Sequence, residues 1–353
     1  MPRLTIARIA TDTVLGAGIY EQQVIARAPE ALAAAGWTVE EAVIRSLRSP
    51  LAGTHRIPMG KVATAPAAVR RLIGRALYPT DAIVHRMSLE LPPSPNADVL
   101  TLHDVVSWKF PDESAPVPAA QDEIRRAAGV ICVSAFSAGE AVDLLGIDEP
   151  HVVHNGVDAR FYDATPLDAA GLAALGIDGP FVLTTGGASE RKNLAGLAEA
   201  WPTVHRARPG LTLVLTGPPH PRRTALFHGL PNVVLAGMVD AAIVPHLMAA
   251  AEAVVVPSLY EGFGFPALEG MAVGTPVVSS NTSSLPEVVG DGGILVAPDG
   301  PSLAQGIIDA TSGDPQVTIT AARGRRRASD FTWERCLQGH AAVWAKVAAR
   351  SSR

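Results

Sequence analysis

The run Ala253-Val254-Val255-Val256-Pro257 leads through Ser258-Leu259-Tyr260 into Glu261-Gly262-Phe263-Gly264-Phe265-Pro266-Ala267-Leu268-Glu269. A β-branched run closed by proline reads as a strand buried on both faces, the kind found in parallel sheets. In the segment after it, two glycines let backbone approach a ligand with no Cβ in the way. Pro266 suits a first helical turn, where its missing N–H would have had no partner. A helix is therefore expected from about Gly264. Its N–H groups and positive dipole end would sit at the carboxyl edge of the sheet, where open α/β sheets take ligands and phosphate is favoured. Glu261 precedes that helix and Glu269 lies inside it, so the two carboxylates reach different parts of one ligand. Carboxylates accept hydrogen bonds from hydroxyls. The stretch suits a molecule with an anionic centre and hydroxylated ends, such as a sugar nucleotide.

Composition sets the frame. The 353 residues fit two domains better than one. With 48% hydrophobic, 18% charged and 5% aromatic residues, the cores are built mostly from Ala, Val and Leu, as in ordinary α/β enzymes. A formal charge of -5 argues against a nucleic-acid binder, which needs a basic excess. Cys132 sits in the apolar run Gly129-Val130-Ile131-Cys132-Val133, far from Cys336, so neither a disulfide framework nor a zinc site is expected. A reducing, cytoplasmic setting follows. Met1-Pro2-Arg3-Leu4-Thr5-Ile6 does not read as a secretory leader, and the most apolar region, residues 241–257, is broken by Pro245, His246 and Glu252.

Strand and helix signals alternate along the chain, which predicts parallel, doubly wound sheets. Residues 4–9 read as a first strand, and Thr13-Val14-Leu15-Gly16-Ala17-Gly18-Ile19-Tyr20 as a glycine-bearing turn into a helix ending near Gly36. A dinucleotide fingerprint is the competing reading, with Glu40 or Glu41 as the ribose acid, but Glu21 stands where its third glycine belongs. Over residues 66–78, Arg70, Arg71 and Arg75 fall near one helical face, with Val69, Leu72, Ile73 and Leu77 on the other. Such a helix docks on an anionic membrane or acceptor, or is simply solvated. Further strands are expected at 81–85, 98–102, 129–134, 150–154, 180–185 and 211–216. The strand at 98–102 ends in His103-Asp104, at the edge where a ring nitrogen can meet substrate. After the strand at 180–185, Gly186-Gly187-Ala188-Ser189-Glu190-Arg191-Lys192-Asn193 offers a glycine turn and two cations at the mouth of a helix, a plausible phosphate clamp. A late helix is expected near 302–311 and a terminal one over 331–347.

Glu261 to Glu269, followed by Gly270-Met271-Ala272-Val273-Gly274-Thr275-Pro276-Val277-Val278 and Leu285-Pro286-Glu287-Val288-Val289-Gly290, resembles the donor-binding core of the retaining glycosyltransferases of family four. His103-Asp104 with Phe110-Pro111-Asp112, and Asn155-Gly156-Val157-Asp158, carry the likeness into the first half. The resemblance implies two Rossmann-like domains facing across a cleft (the GT-B fold). It divides the chain into residues 1–160 for the acceptor, a linker at 161–168, residues 169–330 for the donor, and a helix over 331–353 that crosses back. It implies hexose transfer from a nucleotide-diphosphate sugar, GDP-mannose ahead of UDP or dTDP sugars, to a hydroxyl on a glycan, lipid or small molecule. Configuration would be retained, with no metal and no further cofactor.

By the same resemblance, His103, Lys192 and Glu261 do the catalytic work. Gly16, Gly18, Gly187, Arg191, Gly262, Phe263, Gly264, Phe265 and Glu269 hold the donor, Lys192 meeting the diphosphate, Glu269 the ribose and Glu261 the sugar. Many family members also carry an arginine just after the first glycine of the clamp, and here Gly186, Gly187 and Ala188 stand there instead. The basic helix over 66–78, and not the resemblance, is what would bring peripheral contact with the inner membrane face. A sugar-nucleotide epimerase of similar fold and a non-catalytic nucleotide-sugar binder are the competing functions.

Overall fold

The computed structural model describes residues 2–12 and 16–351. It separates into two compact units, Met1–Gly156 with Trp333–Arg353, and Val157–Thr332.

In the first unit the described residues form seven strands: β1 (Arg3–Ile9), β2 (Thr38–Ser46), β3 (His55–Ile57), β4 (Ala82–Arg86), β5 (Asp98–Leu102), β6 (Gly129–Cys132) and β7 (His151–Val152). They are ordered β3-β2-β1-β4-β5-β6-β7, and every pairing is parallel. β4 and β5 are buried along their whole length, as expected of strands covered on both faces. The strand expected at 150–154 shrinks to two residues at the sheet edge.

The helices Gly16–Ala33 and Trp333–Ser351 meet through a directional chain of hydrogen bonds. Trp344 Nε1 donates to His85 Nδ1 at 3.3 Å, which leaves the His85 proton on Nε2, 2.8 Å from Thr101 Oγ1. The Thr101 hydroxyl then donates to Tyr20 Oη at 2.7 Å, Tyr20 donates to His340 Nε2 at 2.6 Å, and His340 Nδ1 donates to the Cys336 carbonyl at 2.8 Å. One assignment of protons satisfies every member with both imidazoles neutral. Burial holds His85 well below the usual imidazole range and brings His340 down to about 4, so neutral rings are what this interior keeps.

The arginine face expected on residues 66–78 is corrected here. Arg70 in the helix Ala67–Leu77 is fully buried, while Val69 and Leu72 are 44% and 63% exposed. Arg70 Nε and Nη2 grip Glu123 at 2.6 and 3.0 Å, and its other hydrogens go to the carbonyls of Val62, Leu89, Glu90 and Leu91. Arg86 pairs with Asp98 at 2.9 and 2.7 Å beside them. Two guanidiniums and two carboxylates form a neutral buried cluster, the condition under which charges survive in an interior. Only Arg71 and Arg75 of the three reach solvent.

The described residues of the second unit give six parallel strands: β8 (Phe181–Thr185), β9 (Thr212–Thr216), β10 (Val233–Gly237), β11 (Ala253–Val256), β12 (Val277–Ser280) and β13 (Ile294–Val296). Their order is β10-β9-β8-β11-β12-β13. From β8 the chain winds outward to β9, and from β11 it winds the other way to β12, so the topological switch point lies between β8 and β11. Ligands of doubly wound sheets bind in the crevice outside the carboxyl ends of such a pair. Trp201, Leu197 and Val204 of the helix Leu194–Ala207 pack against Leu303, Ala304 and Ile307 of the helix Gly300–Ala310, forming the core under one face of this sheet. After β12 the segment beginning Leu285-Pro286 forms the short helix Leu285–Val289.

Candidate functional site

The loops leaving β8 and β11 are tied together at the switch point. Asn193, at φ +52, turns the chain into the helix Leu194–Ala207. Its Nδ2 donates to the Pro257 and Pro298 carbonyls at 2.9 and 2.7 Å, and its Oδ1 accepts from Gly196 N. Leu259 N donates to the Arg191 carbonyl at 2.7 Å. These contacts bring the basic pair of one loop against the first glutamate of the other.

Glu261 is 6% exposed. Its Oε1 accepts from Lys192 Nζ at 2.6 Å and from Ser258 Oγ at 2.7 Å, and its Oε2 accepts from Arg191 Nη1 at 3.2 Å. Burial opposes ionisation of this carboxyl, but the two cations and the two hydrogen bonds outweigh it and hold Glu261 below its ordinary range. Glu261 N donates to Ser283 Oγ at 3.0 Å, and Ser284 Oγ lies 2.9 Å from the carbonyl oxygens of both Glu261 and Phe263. A small cavity of about 10 Å³ opens beside the cluster, lined among others by Gly186, Gly187, Lys192, Arg223, Ser258 and Glu261.

The helix expected near Gly264 is Phe265–Val273, and no side chain caps it. Gly264 takes φ +105, and a Cβ there would lie 2.8 Å from Leu285 Cδ2, so both torsion and space demand glycine. Gly262 is buried in the same turn. Phe263 is 4% exposed, its ring edge-on to Phe265 and Phe331 at 5.6 and 5.8 Å between centroids, so its side chain is core. Glu269 lies one helical turn inside and half-buried. Burial raises its pKa to about 7, with Arg160 opposing and Asp158 reinforcing the rise.

His103 belongs to the first unit, just past β5. Its ring stands edge-on to Tyr20 at 4.7 Å, and its Nε2 has no hydrogen-bond partner among the described residues. Burial, aided by His340, lowers its pKa to about 4, so the ring is neutral. Asp104 Oδ1 accepts from Val106 N at 3.1 Å and opens the next turn. Gly16 and Gly18 lie in the first turn of the helix Gly16–Ala33, in keeping with the expected turn into a helix; Thr13, Val14 and Leu15 of that turn lie outside the described residues. Glu40 and Glu41 are paired with Arg3 at 3.0 Å and Arg8 at 2.5 Å on the exposed face of β2.

Lys192, Arg191, Gly187 and Glu261 thus meet at one place, with Gly264 and Glu269 on the helix that follows. Sequence reading missed Ser258, Asn193, Ser283, Ser284 and Arg223. Asn193 had a signal, since asparagine tolerates positive φ and caps helices; the others had none. Among the described residues no group of three or more His, Cys, Asp or Glu could hold a metal ion, and no helix is long and apolar enough to cross a membrane.

Comparison with known proteins bears on this geometry. Residues 179–312 match the family model for glycosyl transferases group 1. The chain is 30% identical over 284 residues to O-antigen chain mannosyltransferase B of Escherichia coli, covering 72% of each protein. It is 40% identical over 109 residues to MMP alpha-(1->4)-mannosyltransferase of Mycolicibacterium hassiacum, a match that covers 30% of this chain and 26% of that one. Among solved structures, sucrose-phosphate synthase from Thermosynechococcus elongatus superposes with a TM-score of 0.77 at 23% identity, over 99% of this chain and 100% of that one.

Proposed function

The chain belongs to the group 1 glycosyltransferases, and from that membership we propose that it moves a hexose from a nucleotide-diphosphate sugar to an acceptor hydroxyl with retention of configuration and without a metal. The observation that carries this reading is the contact of Lys192 and Arg191 with Glu261 beside the cavity at the switch point.

The chemical difficulty is the negative charge that appears on the departing diphosphate. Preorganised cations aimed at that charge are worth roughly 10²–10³ in rate each. Lys192 and Arg191 together exceed the charge of Glu261 by one, so the cluster keeps a net positive charge for the phosphates. Glu261 is buried, ionised and tied to both cations, which makes it a poor proton acceptor. Its role is to accept hydrogen bonds from hydroxyls of the donor sugar and to fix Lys192. Glu269 accepts from the ribose hydroxyls, and the helix terminus at Gly264 adds its dipole to the diphosphate. The leaving phosphate itself takes the acceptor proton.

Mannose is the favoured sugar because both curated relatives above are mannosyltransferases by name. GDP-mannose therefore stands ahead of UDP or dTDP sugars. The test is calorimetric titration of the purified chain with UDP, GDP, dTDP, ADP and NAD in EDTA. Binding of one nucleoside diphosphate and not NAD is expected; binding of NAD alone, or a need for metal, would contradict the reading.

A further inference from the structure

Arg223 lies in the helix Pro221–Phe227 that follows β9, with 3% of its surface exposed. Its Nη2 donates to the Gly186 carbonyl and its Nη1 to the Pro218 carbonyl at 3.1 Å, while Nε has no partner among the described residues. The neighbouring Arg222 pairs with Glu190 at 3.4 Å, but no carboxylate of the described residues reaches Arg223. Burial alone acts on its pKa, lowering it. A guanidinium withdrawn from water without a counter-charge is costly, and folds keep one where an anion compensates it. Arg70 and Arg86 show the alternative in this same chain, each matched by a buried carboxylate.

The missing counter-charge has a place to bind. Arg223 lines the same cavity as Gly186, Gly187, Lys192 and Glu261. Gly217, at φ +124, makes this possible: a Cβ there would lie 2.0 Å from the Gly186 carbonyl oxygen and 3.1 Å from Arg223 Nη2. The ends of β8 and β9 therefore close up until one guanidinium reaches both turns. Glu261 already offsets one of the charges on Arg191 and Lys192, and Arg223 supplies a second net positive charge at the cavity.

We infer that Arg223 binds the diphosphate of the donor, offering Nε–H and an Nη–H to phosphate oxygens beside Lys192. This rests on the nucleotide-sugar reading above. A guanidinium presents two parallel donors to a phosphate, so a single lysine replaces it only in part.

The experiment is calorimetric titration of the full chain, as wild type, Arg223→Gln and Arg223→Lys, with inorganic pyrophosphate and with UDP, GDP, dTDP and ADP. Thermal unfolding of each variant without ligand accompanies it. Arg223→Gln is expected to weaken nucleoside-diphosphate and pyrophosphate binding by about 10- to 100-fold, the worth of charge-assisted hydrogen bonds, with Arg223→Lys intermediate. Its melting temperature is expected to equal or exceed that of wild type, because an uncompensated charge has been removed. Nucleoside diphosphate bound equally well by wild type and Arg223→Gln would overturn the role of Arg223 and leave the donor reading standing. Pyrophosphate bound by wild type and lost in Arg223→Gln, with no nucleoside diphosphate bound by either, would sink the donor reading and leave an Arg223 anion site. Arg223→Gln that melts well below wild type yet binds diphosphate normally would make Arg223 a structural residue only.

Discussion

Lys192 Nζ lies 2.6 Å from Glu261 Oε1, joining the loop after β8 to the loop after β11. The pair is a division of labour more than a stabilising bridge, since a buried ion pair returns little net stability once both charges have left water. Lys192 is positioned by the carboxylate it keeps ionised, and one cation remains in excess when Arg191 is counted.

Replacing Lys192 by Ala should lower kcat/KM by roughly 10²–10³ while leaving the fold intact. With one cation gone, burial is offset less and the Glu261 pKa rises, so residual activity should lose its acid limb at a higher pH than wild type. A pH–rate profile that matches wild type in height and shape would remove Lys192 from the site.

Glu269 has a pKa of about 7, raised by burial. Its folded value is above the unfolded one, so its contribution to stability is present below the unfolded pKa of a glutamate and is lost as pH rises through about 7. Glu269→Gln should therefore raise the melting temperature at about pH 8 and change it little at about pH 4. Donor affinity should move the other way in wild type, strengthening as the carboxylate ionises, and should be flat in Glu269→Gln. Affinity that does not vary between about pH 6 and about pH 8 in wild type would contradict the ribose role.

The first unit should be acid-sensitive. His103 and His340 titrate at about 4 in the folded chain, and His85 also lies well below 6.5. Unfolded histidines take up protons near 6.5 and the folded ones do not, so stability is present above 6.5 and is lost progressively as pH falls toward about 4. Tyr20→Phe removes the donor to His340 and the acceptor for Thr101, and should cost about 1–3 kcal/mol. Urea unfolding at several pH values reads both effects, and equal midpoints from about pH 7 to about pH 4.5 would refute the first.

Gly264→Ala places a Cβ at φ +105 and 2.8 Å from Leu285 Cδ2. The strain should cost about 1–3 kcal/mol and shift the start of the helix Phe265–Val273. Transfer activity should fall with it, whereas Gly16→Ala, at an exposed helical position with open space around it, should leave stability unchanged.

The strands were legible because β-branched runs and proline or glycine stops are local signals; Ala253-Val254-Val255-Val256-Pro257 is such a run. The Glu261 to Glu269 stretch was legible for the same reason, its glycines and Pro266 marking a turn into a helix. Arg70 was misread because helical periodicity treats arginine as a surface residue and cannot see Glu123, which the fold brings to it from 53 residues away. Arg223 was invisible, since nothing in Pro221-Arg222-Arg223 tells which arginine turns inward. The tie between Lys192 and Glu261 depends on strand order, and the spacing of motifs along a chain does not carry that.

The central claim is tested most directly by following a nucleotide sugar with wild type and with Lys192→Ala, reading nucleoside diphosphate release and, by NMR, the anomeric configuration of the sugar as it appears on acceptor or water. The account predicts that wild type consumes one nucleotide sugar, GDP-mannose first, and yields a product of unchanged anomeric configuration, with Lys192→Ala slower by about 10² or more. An inverted product, an epimerised nucleotide sugar with no diphosphate released, or equal rates for the two proteins would contradict it.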